Sequence, residues 1–165
     1  MILDDITFNL GITPEEGLPI LTAQGSPFEL YETFDDYHIL KARSAAFTEV
    51  FMYGSTDRTD LFGEDPDKVH SAAAQALQFS PASSLYYAYP NFDFEGQGKL
   101  DTLNQMMAFF AQENIPFYLT ARTEEGFQTL VRGHNPLTGA EIVNDRLRKD
   151  LQPLPDDPSS DRLSA

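Results

Sequence analysis

The fold of this chain is indicated most clearly by residues 28–43, FELYETFDDYHILKAR. Residues 28–33 and 37–43 are rich in the aromatic and branched side chains that strands favour, and the polar pair Asp35-Asp36 separates them. This pattern is typical of two antiparallel strands joined by a short turn. It predicts a β-hairpin and, with it, a sheet that is at least partly antiparallel.

Helices and strands are both expected in the rest of the chain. A helix is expected to begin at Asp65, a good N-cap that Pro66 follows at the first helical position. A second helix is predicted over about 99–113, where apolar residues recur at helical spacing. The other predicted elements are strands at 47–53, 85–89, 117–122 and 127–132, and a last helix over about 138–150 that Thr138 would cap with Glu141 three residues on.

This order of elements lacks a long β-α-β alternation, so it predicts an α+β fold. We expect a largely antiparallel sheet of about five to six strands with two to three helices packed on one face. Residues 1–151 are expected to form a single acidic domain, because a chain of this length buries enough surface for its own core. Residues 152–165 are rich in Pro, Asp and Ser, and we expect a disordered tail there.

Charge and its distribution restrict the function. The chain has 165 residues, with 26 acidic and 11 basic side chains and a net charge of −15. Residues 1–67 hold 14 of the acidic residues and three of the basic ones. Such a field repels nucleic-acid phosphates and anionic lipids, so we expect no direct binding to nucleic acid or membranes, while it speeds encounter with a basic protein. The alternative is that the charge only keeps the domain soluble.

Other features bear on compartment and cofactors. The start, MILDDITFNL, lacks the basic and apolar regions of a secretory signal, and no apolar run approaches the ~20 residues of a membrane span, so a cytoplasmic protein is expected. No cysteine is present, which excludes disulfides and thiolate metal sites. The segment NFDFEGQGKLDT at 91–102 matches a calcium loop only in part, because Thr102 stands where that loop needs a bidentate Glu. We therefore expect no metal site and no cofactor.

One short segment, RGHNPLTG at 132–139, has residues suited to catalysis. A loop that presents Arg132 and His134 would bind an anion or supply an acid and a base. The alternative is an ordinary connector between a hairpin and a helix, with Asn135-Pro136 as its turn. This segment is the basis of one hypothesis, a small-molecule enzyme with a site around His134 and Arg132.

Aromatic residues interleaved with acids support a different function. They alternate over residues 29–37 and 85–95, and no single face of a small sheet can bury all of them. The alternative is a core that is simply rich in aromatic residues. If exposed, the aromatic side chains would anchor a partner and the acids would steer it. The residues predicted to bind the partner are Glu32, Phe34, Asp35, Asp36, Tyr37, Asp57, Asp60, Glu64, Asp65 and Asp67.

The leading hypothesis is therefore a non-enzymatic acidic binding protein. It would mask or escort a basic protein partner, as an immunity protein, antitoxin, inhibitor or secretion chaperone does, and no catalytic residue is assigned. Besides the enzyme hypothesis, a third hypothesis is a structural assembly subunit of a phage or secretion machine. The sequence leaves the partner's identity and the oligomeric state open.

Overall fold

The architecture is an antiparallel sheet with helices against both of its faces. It is seen in a computed structural model that describes residues 2–43, 50–56, 69–87, 92–93, 97–122 and 128–144. The strands are β1 (Ile2–Leu10), β2 (Phe28–Thr33), β3 (Tyr37–Ala42), β4 (Val50–Ser55), β5 (Ser83–Tyr87), β6 (Phe92–Asp93), β7 (Phe117–Arg122), β8 (Gln128–Asn135) and β9 (Ala140–Val143). The helices are α1 (Pro14–Leu21), α2 (Val69–Leu77) and α3 (Gln97–Gln112).

The predicted α+β class and antiparallel sheet are confirmed, but the sheet is larger than expected. Eight strands lie side by side in the order β2-β3-β4-β5-β1-β7-β8-β9, and the two-residue β6 pairs with the start of β1. The expectation of five to six strands was therefore too low. Two of the additional strands, β1 and β9, and the helix α1 were not among the predicted elements.

Strand β1 lies at the centre of the sheet, between β5 and β7. Its alternating pattern buries Ile6, Phe8 and Leu10 in the main core. Thr7 and Asn9 point to the opposite face, because successive side chains of a strand alternate. Both polar residues are buried as well, which reflects the central position of the strand.

Thr13 is the N-cap of helix α1 and has the Thr-x-x-Glu spacing of a capping box. The Thr13 hydroxyl oxygen accepts a hydrogen bond from the Glu16 N–H at 3.2 Å, and the Thr13 O–H donates one to the Glu16 carboxylate at 2.9 Å. Pro14 stands at the beginning of the helix, where its missing N–H costs no hydrogen bond. The four residues TPEE therefore specify this helix start locally.

The helices cover both faces of the sheet, so the prediction that they pack on one face was wrong. Leu119 and Ala121 of β7 join α3 in the main core, whereas Tyr118 of the same strand packs in a second cluster with Leu77 of α2. Because alternate residues point to opposite faces, α2 and α3 lie on opposite sides of the sheet. Leu21 of α1 also belongs to the main core. We call the face covered by α1 and α3 the inner face, and the other the outer face.

The helix predicted over about 138–150 is wrong where the structure describes it, because residues 140–143 form strand β9. Asn135 accounts for the difference. Its side-chain oxygen accepts a hydrogen bond from the Leu137 N–H at 3.0 Å, and its carbonyl accepts one from the Gly139 N–H at 2.8 Å. Gly139 has a φ of 83°, which glycine adopts without strain, and the chain reverses into a hairpin.

The two residues of the predicted capping box take other roles in this hairpin. Thr138 accepts a hydrogen bond at its hydroxyl oxygen from the Ala140 N–H at 3.3 Å. Glu141 lies on β9 and forms an ion pair with Arg132 of β8. The spacing of a capping box is therefore present without the helix, since Ser, Thr and Asn also stabilise turns.

Several predictions concern residues outside the described part of the chain. The start of the helix expected at Asp65 is one of them, and the structure describes that helix from Val69 onward as α2. Residues 145–150 of the last predicted helix and the tail at 152–165 also lie outside the described residues. Within the described residues, no helix combines the length and the apolar character needed to cross a membrane.

Candidate functional site

Five of the ten residues predicted to bind a partner come together in one hairpin. Glu32 lies on β2, Phe34, Asp35 and Asp36 form the turn, and Tyr37 begins β3. We call β2, β3 and the turn between them, residues 28–42, the edge hairpin. The other five predicted residues, Asp57, Asp60, Glu64, Asp65 and Asp67, lie outside the described residues.

Strand β2 is at one end of the strand order, with β3 as its sheet neighbour. A strand with a neighbour on one side directs alternate N–H and C=O groups away from the sheet. The Pro27 carbonyl accepts the Arg43 N–H at 2.9 Å and so points across the hairpin. The Phe28 carbonyl points the other way, where the Arg43 side chain donates to it through Nε at 2.7 Å. By the same alternation, the N–H and C=O of Leu30 point outward.

A β-bulge interrupts this edge at Tyr31. Leu30 pairs with Leu40, and Glu32 pairs with Ile39, so Tyr31 is the extra residue. Its ring lies on the side of Lys41, with the Lys41 ammonium nitrogen 5.8 Å from the ring centroid. This distance is within the range of a cation–π contact.

The edge hairpin exposes large apolar side chains. Leu30, Tyr31 and Phe34 are 47%, 65% and 42% exposed, and they are three of the four exposed large hydrophobic residues in the described part of the chain. The Phe34 ring stacks on that of Tyr37 at a centroid distance of 4.9 Å. The fourth such residue, Leu137, lies in the turn before β9. Exposed apolar side chains grouped in one element are typical of a contact surface.

Acidic side chains surround these apolar ones. Glu29, Glu32, Asp35 and Asp36 are all exposed. The Glu29 carboxylate lies 3.9 Å from the Arg43 guanidinium. Glu29 therefore has a cationic neighbour, at the end of the hairpin away from the turn. Glu32, Asp35 and Asp36 stand toward the turn end, which is the more acidic end of the hairpin.

A groove adjoins the start of β2. It lies between α3 and the loop that follows α1, and consists of two neighbouring pockets of about 470 and 410 Å³. Both pockets are lined by Gly25, Ser26, Phe109 and Gln112, and Arg43 lines the larger one. Apart from apolar atoms, the lining includes glutamine amides, this guanidinium and, in the smaller pocket, the Glu113 carboxylate. In the described residues, no group of His, Asp and Glu side chains is arranged to hold a metal ion.

The prediction that a loop presents Arg132 and His134 was wrong, because both lie in strand β8 and are buried. The Arg132 guanidinium donates to one oxygen of Glu141 through Nη2 at 2.6 Å and Nε at 3.2 Å. His134 is fully buried and packs against Phe117 at a centroid distance of 6.5 Å. Strand β8 continues to Asn135, three residues beyond the end of the predicted strand at 127–132, and the turn follows at 136–139.

A buried polar cluster crosses the centre of the outer face. The Asn9 amide nitrogen lies 3.3 Å from the Tyr118 carbonyl and 3.5 Å from the Thr120 hydroxyl, and its oxygen accepts a hydrogen bond from Ser84 at 3.3 Å. These side chains join β5, β1 and β7. They satisfy one another's hydrogen-bonding groups, so we assign the cluster a structural role.

His70 is a residue whose contacts the sequence did not indicate. Its Nδ1 lies 2.8 Å from the Tyr118 hydroxyl, which links α2 to β7 across the outer face. Sequence patterns also gave no signal for the exposure of Leu30, because it depends on β2 being at the sheet edge.

In comparisons with known proteins, no family model, no curated protein and no solved structure matches this chain.

Proposed function

We propose that this protein is a non-enzymatic acidic binding protein that masks or escorts a basic protein partner. Immunity proteins, antitoxins, inhibitors and secretion chaperones act in this way. The observation that supports the proposal is the grouping of exposed Leu30, Tyr31 and Phe34 with exposed carboxylates on one edge hairpin.

The two kinds of side chain have different roles in such a complex. Aromatic and large aliphatic side chains supply most of the binding energy when a partner covers them. Carboxylates contribute mainly to the association rate and to the choice of partner, because their field attracts a cationic surface before contact. The net charge of −15 adds a long-range attraction that salt screens. The proposal places this encounter in the cytoplasm and excludes nucleic acids and membranes as direct partners.

The test begins with affinity capture of proteins on the full-length chain at low ionic strength, followed by identification of the captured proteins and purification of the basic ones. Association rates are then measured over a range of salt concentrations. The variant Glu32→Gln with Asp35→Asn removes two charges from the edge hairpin. The matched control, Glu15→Gln with Glu113→Gln, removes two exposed charges elsewhere.

We expect the hairpin variant to lower the association rate roughly 3- to 10-fold at low salt and the control variant to change it much less. Replacement of Tyr31 and Phe34 by Ser is expected to raise the dissociation rate instead, because these side chains make contact in the complex. If both charge variants lower the rate equally, the attraction is a general property of the acidic chain and the edge hairpin is not the binding surface. A stable homo-oligomer in light scattering would instead favour an assembly subunit.

A further inference from the structure

We propose that the partner adds a short extended segment to the edge of β2 that no strand of the described residues covers, as an additional strand with alternating apolar and cationic residues. This inference rests on the proposed function and specifies how the edge hairpin would bind. It follows from the direction of the backbone groups, from the faces on which the side chains lie, and from the charges around them.

The backbone of β2 offers two residues for pairing. Leu30 directs its N–H and C=O away from β3, as the alternation from Pro27 and Phe28 shows. The Phe34 N–H donates to the Tyr37 carbonyl at 2.9 Å, so the backbone N–H and C=O of Phe34 point toward β3. The backbone N–H and C=O of the preceding residue, Thr33, therefore point outward. The Phe28 carbonyl already accepts the Arg43 side chain. An added strand would therefore pair with Leu30 and Thr33.

The bulge at Tyr31 limits the length of this pairing. It separates Leu30 from Thr33 by three positions instead of the two of a regular strand. Bulges and charged residues on an edge strand prevent open-ended association between sheets. The edge therefore suits a short segment of a partner and not the full edge of another sheet.

Apolar residues are expected on one face of the added strand. Leu30 is paired with Leu40, which is fully buried, so Leu30 lies on the inner face. Leu30 extends the main core beyond the last strand of the sheet. This position explains why an apolar side chain is found there although it is 47% exposed. An apolar side chain opposite Leu30 would cover it, and burial of apolar surface favours binding.

Cationic residues are expected on the other face. Glu29 pairs with Lys41 and Glu32 with Ile39, so both carboxylates lie on the outer face of the edge hairpin. Lysine or arginine side chains in the alternate positions of the added strand would reach these carboxylates. Cross-strand pairs of opposite charge stabilise a sheet and like charges destabilise it.

Charge repulsion excludes a second copy of this chain as the occupant. Pairing of β2 with another β2 would bring Glu29 and Glu32 of two chains together, and each chain carries a net charge of −15. A cationic segment of a different protein avoids this repulsion. The occupant is therefore defined chemically as an extended segment in which apolar and basic residues alternate.

The test uses the full-length, ¹⁵N-labelled chain and an acetylated and amidated peptide of alternating lysine and valine. Two modified versions carry N-methyl groups, on every valine in one and on every lysine in the other. Because N–H groups of alternate residues lie on the same edge of a strand, each version blocks one edge of the peptide and leaves the other intact. Affinity is measured by calorimetry, and hydrogen exchange reports on the N–H groups of Leu30 and Thr33.

We expect one of the two methylated peptides to bind at least about tenfold more weakly than the parent and the other to bind like the parent. The orientation of the added strand decides which version is weakened. The parent peptide is also expected to slow hydrogen exchange at Leu30 and Thr33.

Equal affinity of both methylated peptides for the edge hairpin would overturn strand addition while leaving a charged and apolar contact surface in place. Lack of parent-peptide binding would also overturn it, and the captured basic protein would then show separately whether the proposed function holds. Self-association of the chain through β2, detected by light scattering, would replace the cationic segment with a second copy.

Discussion

Substitution of Gly17 by Ala is expected to destabilise the protein through one atom, the hydroxyl oxygen of Tyr53. Gly17 lies in α1 and Tyr53 in β4, and both are buried. A β-carbon on Gly17 would fall inside the contact distance of that oxygen, while it would lie 3.2 Å from Tyr53 Cζ and 3.3 Å from Ile12 Cγ2. The hydroxyl is held in place because it lies 3.0 Å from the Ser83 hydroxyl.

The expected free-energy changes follow from this geometry. Alanine gains about 1 kcal/mol over glycine in a helix interior. Displacement of the Tyr53 ring would cost about 1–3 kcal/mol in strain, and loss of its hydrogen bond to the fully buried Ser83 would cost about 1–3 kcal/mol more. We therefore expect Gly17→Ala to lower the free energy of unfolding by about 3 kcal/mol, the middle of a net range of about 1–5 kcal/mol.

Tyr53→Phe separates these contributions. Alone, it should cost about 1–3 kcal/mol, because the hydrogen bond to the buried Ser83 is lost. In the Tyr53→Phe background the oxygen is absent, so Gly17→Ala should be neutral or should stabilise by up to about 1 kcal/mol. The coupling between the two substitutions is thus about 3–4 kcal/mol.

The assay is urea denaturation followed by far-ultraviolet circular dichroism for the wild type, both single variants and the double variant. Gly25→Ala serves as the control. Gly25 has a φ of 91°, and no atom lies within 4 Å of a β-carbon placed on it. The loss of stability in Gly25→Ala therefore comes from backbone strain alone. It should be the same in the wild-type and Tyr53→Phe backgrounds. If Gly17→Ala costs equally in these two backgrounds, the hydroxyl does not occupy the space beside Gly17 and the reasoning is refuted.

Two further predictions concern Tyr53 and the end of α2. Burial raises the pKa of Tyr53 to about 12 from 10.0, and the hydrogen bond with Ser83 opposes this with a smaller effect. The phenol therefore loses its proton at a lower pH in the unfolded chain than in the folded one. Stability should consequently fall as the pH rises from about 10 to about 12. Urea titrations across that range should show a smaller loss in Tyr53→Phe, and an equal loss would mean that the phenol is not protected by burial. Gln78 directly follows α2 and has a φ of 63°, so Gln78→Gly should stabilise by roughly 1 kcal/mol. Gln75 is exposed inside the helix, so Gln75→Gly should destabilise by about as much. Thermal unfolding of both variants tests this, and a lower midpoint for Gln78→Gly would contradict it.

The amino-acid sequence by itself determined the elements whose signals are local. The hairpin at 28–43 was predicted from two strand-like runs around Asp35-Asp36, and the structure has β2 and β3 there. The helix predicted over about 99–113 is α3, and the strand predicted at 117–122 is β7. Such patterns persist because a strand or helix with one buried face repeats apolar residues at its own period.

Local signals also competed with one another, and the sequence alone did not rank them. The Thr138–Glu141 spacing is that of a helix cap, yet the Asn135 side chain and the left-handed Gly139 stabilise a turn instead. The outcome depends on β8, because residues 140–143 form a strand by pairing with it, for example Val143 with Arg132. A neighbouring strand that lies earlier in the chain therefore decided between helix and strand.

Only the tertiary structure decided which residues are exposed. Leu30 is open to solvent because β2 ends the strand order, whereas His134 and Arg132 are buried because β8 lies between β7 and β9. Exposure is set by the elements packed on each side of a residue, and strand order is a long-range property that short sequence patterns do not encode. The sequence indicated where acids and aromatic residues are concentrated, and the fold placed Leu30, Tyr31 and Phe34 on the hairpin that ends the strand order.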